Sequence, residues 1–303
     1  NPYYYGSRTR LTQVNMTFEQ DPSIAYQTYR AGQDDFVWNI APADQPLAKG
    51  LSGFVRTSQL ETDALFFNNK MPPFDNPVIR QAFAYATDKV SLAHTILNDS
   101  AIPAPTIIPP GMLGYQGNYA GIPYDAAKAK ELLQSVYSDA STVPPITFSY
   151  SNAQMTSQEA AALQEMWQNA LGISITLLPV EQTAYSDELA RHQVQFGFTQ
   201  WNADFPDPYD CLALNLLSTA TNNVGLWSNA MFDQTIMLAE NSSSDLRLQL
   251  YNQAEQIAVE DVGWLPLDHQ SLAAIIPSWV HGVSLNGNGL FFGDWSDVYV
   301  LQH

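Results

Sequence analysis

Three short apolar runs alternate with two helical stretches between residues 146 and 201, and few folds accommodate that alternation. Ile146–Tyr150 reads as a strand, and Thr156 with Glu159 has the spacing of a capping box that opens a helix to about Ala170. Gly172 stops that helix, and Ile173–Val180 reads as the returning strand. A helix over Thr183–Arg191 and a strand over Gln195–Trp201 repeat the pattern. Strands separated by helices predict an α/β protein with a partly parallel sheet.

The flanking chain reads as more of the same. Leu11–Glu19 alternates apolar and polar residues, which predicts a half-buried strand, and a helix over Ser23–Ala31 and a strand over Asp35–Ile40 follow. Pro42–Gly53 reads as a loop, Asp63–Asn68 as a strand and Met71–Pro77 as a turn. Asn76 is placed to cap a helix with Pro77 in its first turn, and Val78, Ile79, Ala82, Phe83 and Ala86 give that helix one apolar face. Asp88 restarts a helix to about Leu97, and Asp125 caps another to Tyr137 beyond an extended loop at Ile102–Gly121. Helices over Ala230–Ala239 and Asp245–Glu260 precede an apolar stretch from Trp264 to Pro277.

Charge excludes several function classes. Twelve Lys and Arg stand against thirty Asp and Glu, a net charge of −18, and beyond His192 the only basic residue is Arg247. Binding to nucleic acid or to an anionic membrane surface needs clustered cations, so both are excluded. A single cysteine, Cys211, rules out an internal disulfide framework and a thiolate metal cluster. The five histidines show no zinc-site spacing, and no nucleophile elbow, dinucleotide-binding turn or phosphate loop is present. No cofactor, resident metal or catalytic residue is expected.

The most informative segment is Trp201-Asn202-Ala203-Asp204-Phe205-Pro206-Asp207-Pro208. It puts carboxylates on a loop just beyond the C-terminal end of a strand, where ligands of α/β sheets tend to sit. Asp204 beside Trp201 and Phe205 suits a ligand ammonium group within an aromatic wall. The same residues also fit an Asx–Pro turn with a capping aspartate. Asp204, Asp207 and Asp210 recur every three residues, as hard oxygen ligands might, but without the glycine of a calcium loop. Trp227, Trp264, Trp279 and Trp295 read as core or as ligand platforms.

Five segments, in order, resemble bacterial extracellular solute-binding protein family 5, the oligopeptide and dipeptide receptors of ABC importers. They are Asn1-Pro2-Tyr3-Tyr4 with Leu11–Glu19, the run MPPFDNPVIRQAFAYATDKVSLAHTIL beginning at Met71, Tyr124-Asp125 with Ala127–Leu133, the WNADFPDP segment, and Leu265-Pro266-Leu267 with His269-Gln270. The resemblance implies a two-lobed, hinged fold of the type II periplasmic-binding-protein kind, of which this chain is the C-terminal portion. Residues 1–62 and 271–303 would then form part of the first lobe, and residues 63–270 the complete second lobe. It also implies a receptor that is not an enzyme, lies in the periplasm or on the outer face of the cell membrane, and carries its signal or lipid anchor outside this sequence.

The implied partners are a peptide in the inter-lobe cleft and the permease subunits of the importer, the full-length receptor being monomeric. An oligosaccharide ligand, or a secreted α/β hydrolase, is the alternative. By the same resemblance Asp204 pairs with the peptide amine, the Gln200–Asn202 backbone faces the ligand, and Trp201, Phe205 and Trp227 line the pocket. Arg191 stands in a segment where oligopeptide receptors carry a basic residue. The chain departs from the family pattern at Phe198, where an Arg can stand, at Asp268, which replaces an aromatic, and at Trp227, which replaces a Tyr.

Overall fold

The computed structural model describes residues 9–19, 21–152, 154–287 and 295–302; the Asn1–Tyr4 motif lies outside them. The chain runs α1 (Pro22–Arg30), β1 (Val37–Trp38), α2 (Gln45–Ala48), β2 (Phe54–Phe67), α3 (Pro77–Tyr85), α4 (Lys89–Thr95) and β3 (Ile102–Pro103). It continues through α5 (Ala126–Val136), β4 (Ile146–Ser151), α6 (Gln154–Leu171), β5 (Ile175–Val180), α7 (Gln182–Ala190) and β6 (Phe196–Asn202). The last elements are α8 (Pro208–Leu216), α9 (Ala230–Glu240), α10 (Ser244–Glu260), β7 (Leu265–Ile275), β8 (Val280–His281) and β9 (Tyr299–Val300).

Local signals set most of these boundaries. The Asn76 side chain accepts from Val78 N at 2.9 Å with Pro77 in the first turn of α3, and Asp125 accepts from Lys128 N at 2.9 Å to start α5. Gly172 ends α6 at φ +71, a conformation that costs glycine little. Several readings change. The Pro42–Gly53 loop carries the short helix α2, and the strand read at Asp63–Asn68 starts already at Phe54, because β7 takes the hydrogen bonds of a stretch that has no apolar run. Leu11–Glu19 forms no strand, and Val14, Met16 and Phe18 are exposed, because an alternating segment becomes a strand only where a neighbour takes its hydrogen bonds. The helix α6 begins at Gln154, so Thr156 lies inside its first turn and caps nothing. Residues 208–216 form α8, opened by Asp207, whose carboxylate accepts from Tyr209 N at 2.9 Å.

One mixed seven-stranded sheet has the order β1-β7-β2-β6-β4-β5, with β3 also on β7. Strands β6, β4 and β5 are parallel, as the alternation predicts, while β2 runs antiparallel to both β6 and β7. One face is covered by α3, α5 and α6 around an aromatic cluster. Phe196 stacks on Phe67 at 5.6 Å and on Phe148 at 4.7 Å between centroids, with Phe74, Phe83 and Trp167 around them. The other face is covered by α8, α9 and α10 around Trp227, Tyr251 and Trp264. A smaller cluster of Tyr26, Val37, Ile40, Ala48, Ala273 and Ile275 gathers at the far end of β7.

Phe196 is fully buried and touches five aromatic rings of this core. Phe196→Ala is therefore expected to destabilise the fold by about 3–5 kcal/mol, read as a drop in the urea midpoint at unchanged slope.

Candidate functional site

The site grows out of the two edges of β6. Toward β2 the strand is paired along its whole length, from Phe67↔Phe196 to Glu61↔Asn202. The flanking bonds Asn68 N to Gln195 O and Ala203 N to Leu60 O, both 2.8 Å, show that the odd-numbered backbone groups face β2. The even-numbered ones face the other way, where β4 pairs only with Phe196 and Gly197. Close approach at that point needs glycine: a Cβ on Gly197 would stand 2.4 Å from both the Ser149 carbonyl and the Tyr185 hydroxyl. Tyr185 Oη then donates to Phe198 O at 2.7 Å. Past it, the N–H and C=O groups of Gln200 and Asn202 have no neighbouring strand among the described residues. Such an edge can accept an added strand.

At the end of that edge Asp204 is exposed, and among the described residues no cation pairs with it. Beside it, Phe205 is 42 % exposed. Trp201 is half-buried and donates from Nε1 to Asp210 Oδ1. Asp210 is buried and also accepts from Asp204 N at 3.3 Å, so one carboxylate fixes both the Trp201 indole and the turn that presents Asp204. Burial raises the Asp210 pKa, and the Trp201 bond opposes the shift. Asp207 is held by Arg247 through two 2.8 Å bonds while it caps α8, so the capping-aspartate reading holds for Asp207. The three-residue recurrence of acids is thus divided among a solvent-facing group, a cap and an interior acceptor.

Gln200, Trp201, Asn202, Asp204 and Phe205 are brought together; two expected residues are not. Trp227 is 1 % exposed, packs against Phe232 and donates from Nε1 to Asp261 Oδ2 at 2.8 Å, so it is a core residue with no free face for a ligand. Arg191 ends α7 before the start of β6 and pairs with Asp187 at 3.1 Å. At about 3.3 Å per residue, β6 carries the chain on the order of 20 Å from there to Asp204. His269 is fully buried between the Thr62 and Thr106 hydroxyls, and burial, then Lys89, push its pKa down to about 3.

Carboxylates that motif reading passed over crowd the same sheet face. Asp63 of β2 lies opposite Gln200 on one side and Asp268 of β7 on the other, and Glu61 Oε2 accepts from Asn202 Nδ2 at 3.2 Å. Asp268 was visible only as a departure from an aromatic; the others gave no signal, since cross-strand register decides their meeting.

The family model for the bacterial extracellular solute-binding proteins, family 5 Middle, matches residues 1–223. The chain is 26 % identical over 301 residues to the oligopeptide-binding protein OppA of Bacillus subtilis (strain 168), covering 95 % of this chain and 55 % of that protein. It is 28 % identical over 311 residues to the probable deoxycholate-binding periplasmic protein YgiS of Escherichia coli (strain K12), covering 100 % of this chain and 58 % of the other. The unliganded open form of MppA, a periplasmic murein tripeptide binding protein, superposes with a TM-score of 0.81 at 22 % identity, over 94 % of this chain and 56 % of that one. The chain therefore spans a little over half the length of these relatives. Its α/β fold is that of the two-lobed periplasmic solute-binding proteins. With the family model covering most of the sequence and a fold to match, the chain belongs to the bacterial extracellular solute-binding proteins of family 5.

Proposed function

We propose that the protein is the substrate-binding receptor of an ABC importer, holding a peptide in a cleft between two lobes and passing it to the permease. The observation that carries this reading is the open edge of β6 at Gln200 and Asn202, ending on the exposed, unpaired carboxylate of Asp204. Backbone pairing along the edge would hold an extended peptide whatever its sequence, and Asp204 would take its amine. Trp201 and Phe205 would flank that amine. The oligopeptide-binding and murein tripeptide-binding proteins among its relatives support a peptide as the ligand.

In this reading residues 1–62 and 271–303 belong to one lobe and 63–270 to the other. The core clusters support the division: Phe54 and Ile275 pack on the small cluster, whereas Leu65, Phe67, Leu265 and Leu267 pack on the large one. Among the described residues only β2 and β7 run between the two, and their register shifts between Ser58 and Thr62. That irregularity is where a hinge would bend, with ligand and closed state stabilising each other. The receptor works outside the cytoplasm, as a monomer, and releases its ligand unaltered.

A charge-assisted hydrogen bond contributes about 1.5–3 kcal/mol, so Asp204→Ala in the full-length receptor is expected to weaken peptide binding about 10–100-fold by titration calorimetry. N-acetylation of the peptide is expected to cost as much in the unaltered protein and nothing further in the variant. Equal affinity for free and acetylated peptides would remove Asp204 as the amine anchor, and tight binding of a cello-oligosaccharide in place of any peptide would overturn the ligand class. Prolonged incubation with peptide and glycoside mixtures is expected to return every component intact by mass spectrometry; a product that vanishes with Asp204→Ala would contradict the receptor reading.

A further inference from the structure

Alternation along a strand puts Glu61, Asp63 and Leu65 on one sheet face with Phe198, Gln200 and Asn202 of β6. Gln270 Nε2 donates to Asp63 Oδ2 at 2.7 Å and to Asp268 Oδ1 at 2.9 Å, so one amide serves two acids. Asp63 Oδ1 is closed off from solvent with no hydrogen-bond partner, and Asp268 is 3 % exposed. Buried carboxylates are normally paired with a cation. Among the described residues, no Lys, Arg or His pairs with Glu61, Asp63, Asp268 or Glu159 of α6. Lys89 and His269 are engaged elsewhere: Lys89 Nζ donates to the Ala104 carbonyl at 2.9 Å, and His269 sits between two threonines.

The acids therefore bear on one another. Burial and then Glu61 push Asp63 up to about 7, against the Gln270 bond. Burial and then Asp63 push Glu159 up to about 8. Asp268 is raised by burial and by Asp63, Glu159 and Glu61. Glu61 and Gln270 also line an open hollow of about 350 Å³ with Trp38, Asn39, Gln59 and Leu272. Among the described residues no three His, Cys, Asp or Glu side chains converge to hold a metal ion.

We propose that this hollow, with Glu61 in its wall and the Asp63–Asp268 pair bonded to its Gln270, receives the lysine or arginine side chain of a bound peptide. The inference rests on the peptide-binding reading above. A ligand strand on the open edge of β6 lies two strand spacings, about 10 Å, from β2. A long cationic side chain crossing over Gln200 covers much of that distance toward Glu61 in the wall of the hollow, and Trp38 adds an aromatic ring of the kind that favours cations.

The test compares Lys-Ala-Ala, Ala-Lys-Ala and Ala-Ala-Lys by titration calorimetry with the same tripeptides carrying norleucine for lysine. The best lysine peptide is expected to bind about 10–100-fold more tightly than its norleucine partner. Asp63→Asn and Asp268→Asn are expected to shrink that preference while keeping the norleucine affinity. A bound cation favours the ionised acids, so near pH 7 the lysine peptide is expected to release protons, read as a dependence of the heat on buffer ionisation enthalpy that norleucine does not produce. Equal affinity for lysine and norleucine at every position overturns the subsite while peptide binding stands. A lysine preference that survives both substitutions, with no proton release, overturns it as well. Failure of all six tripeptides to bind overturns the peptide reading and the subsite together.

Discussion

Strand β2 is hydrogen-bonded along both edges, to β7 and to β6, and the rest of the molecule depends on that double pairing. At fourteen residues it is long enough to enter both the small core around Tyr26 and Ile275 and the large aromatic core around Phe67 and Phe196. Because β2 runs antiparallel to a set of parallel strands, it turns one end of the helix-covered sheet into a platform continuous with the smaller cluster. The groups of the proposed site are arranged at that junction. The β6 residues that leave the aromatic core are the ones whose backbone becomes available, and the β2 residues opposite them are acids.

The turn after β6 is rigid for a reason that involves burial. Asp210, interior to α8, ties the Trp201 indole to the backbone of Asp204, while Asp207 caps the same helix and is clamped by Arg247. Arg247 also bonds Glu240 of α9, and Tyr251 of α10 donates to the same Glu240. The presenting loop is thereby fastened to three helices, and Asp204 is the one acid of the three left facing solvent. A site preorganised in this way loses little entropy on binding.

Much of this was legible in the sequence where the signal was local. Asn76, Asp125 and Gly172 announced helix ends because capping and positive φ are decided within a few residues. Helix α8 was missed because nearly all its residues are buried, leaving no apolar stripe to give a period. Leu11–Glu19 had the strand period but no strand to pair with. The Asp204 loop was legible from its place after a strand and from the family resemblance. Trp227 was read both as core and as a ligand-binding residue, and its burial bears out the core reading, which spacing alone cannot separate from a tryptophan lining a cleft. The acid cluster was invisible for a different reason: Asp63 and Asp268 meet only through a register set across more than two hundred residues.

Tyr185 has a consequence for how much of a ligand this edge can measure. By occupying the Phe198 carbonyl, its hydroxyl works as an end stop, and the stretch left between that stop and Asp204 offers outward groups at Gln200 and Asn202 alone. Two such residues span about 7 Å of extended chain. For a peptide held as proposed, the edge would be a short ruler, registering the first two or three residues and indifferent to whatever hangs beyond. Discrimination among longer peptides would then have to come from side chains, and on this face the nearby side chains are acids.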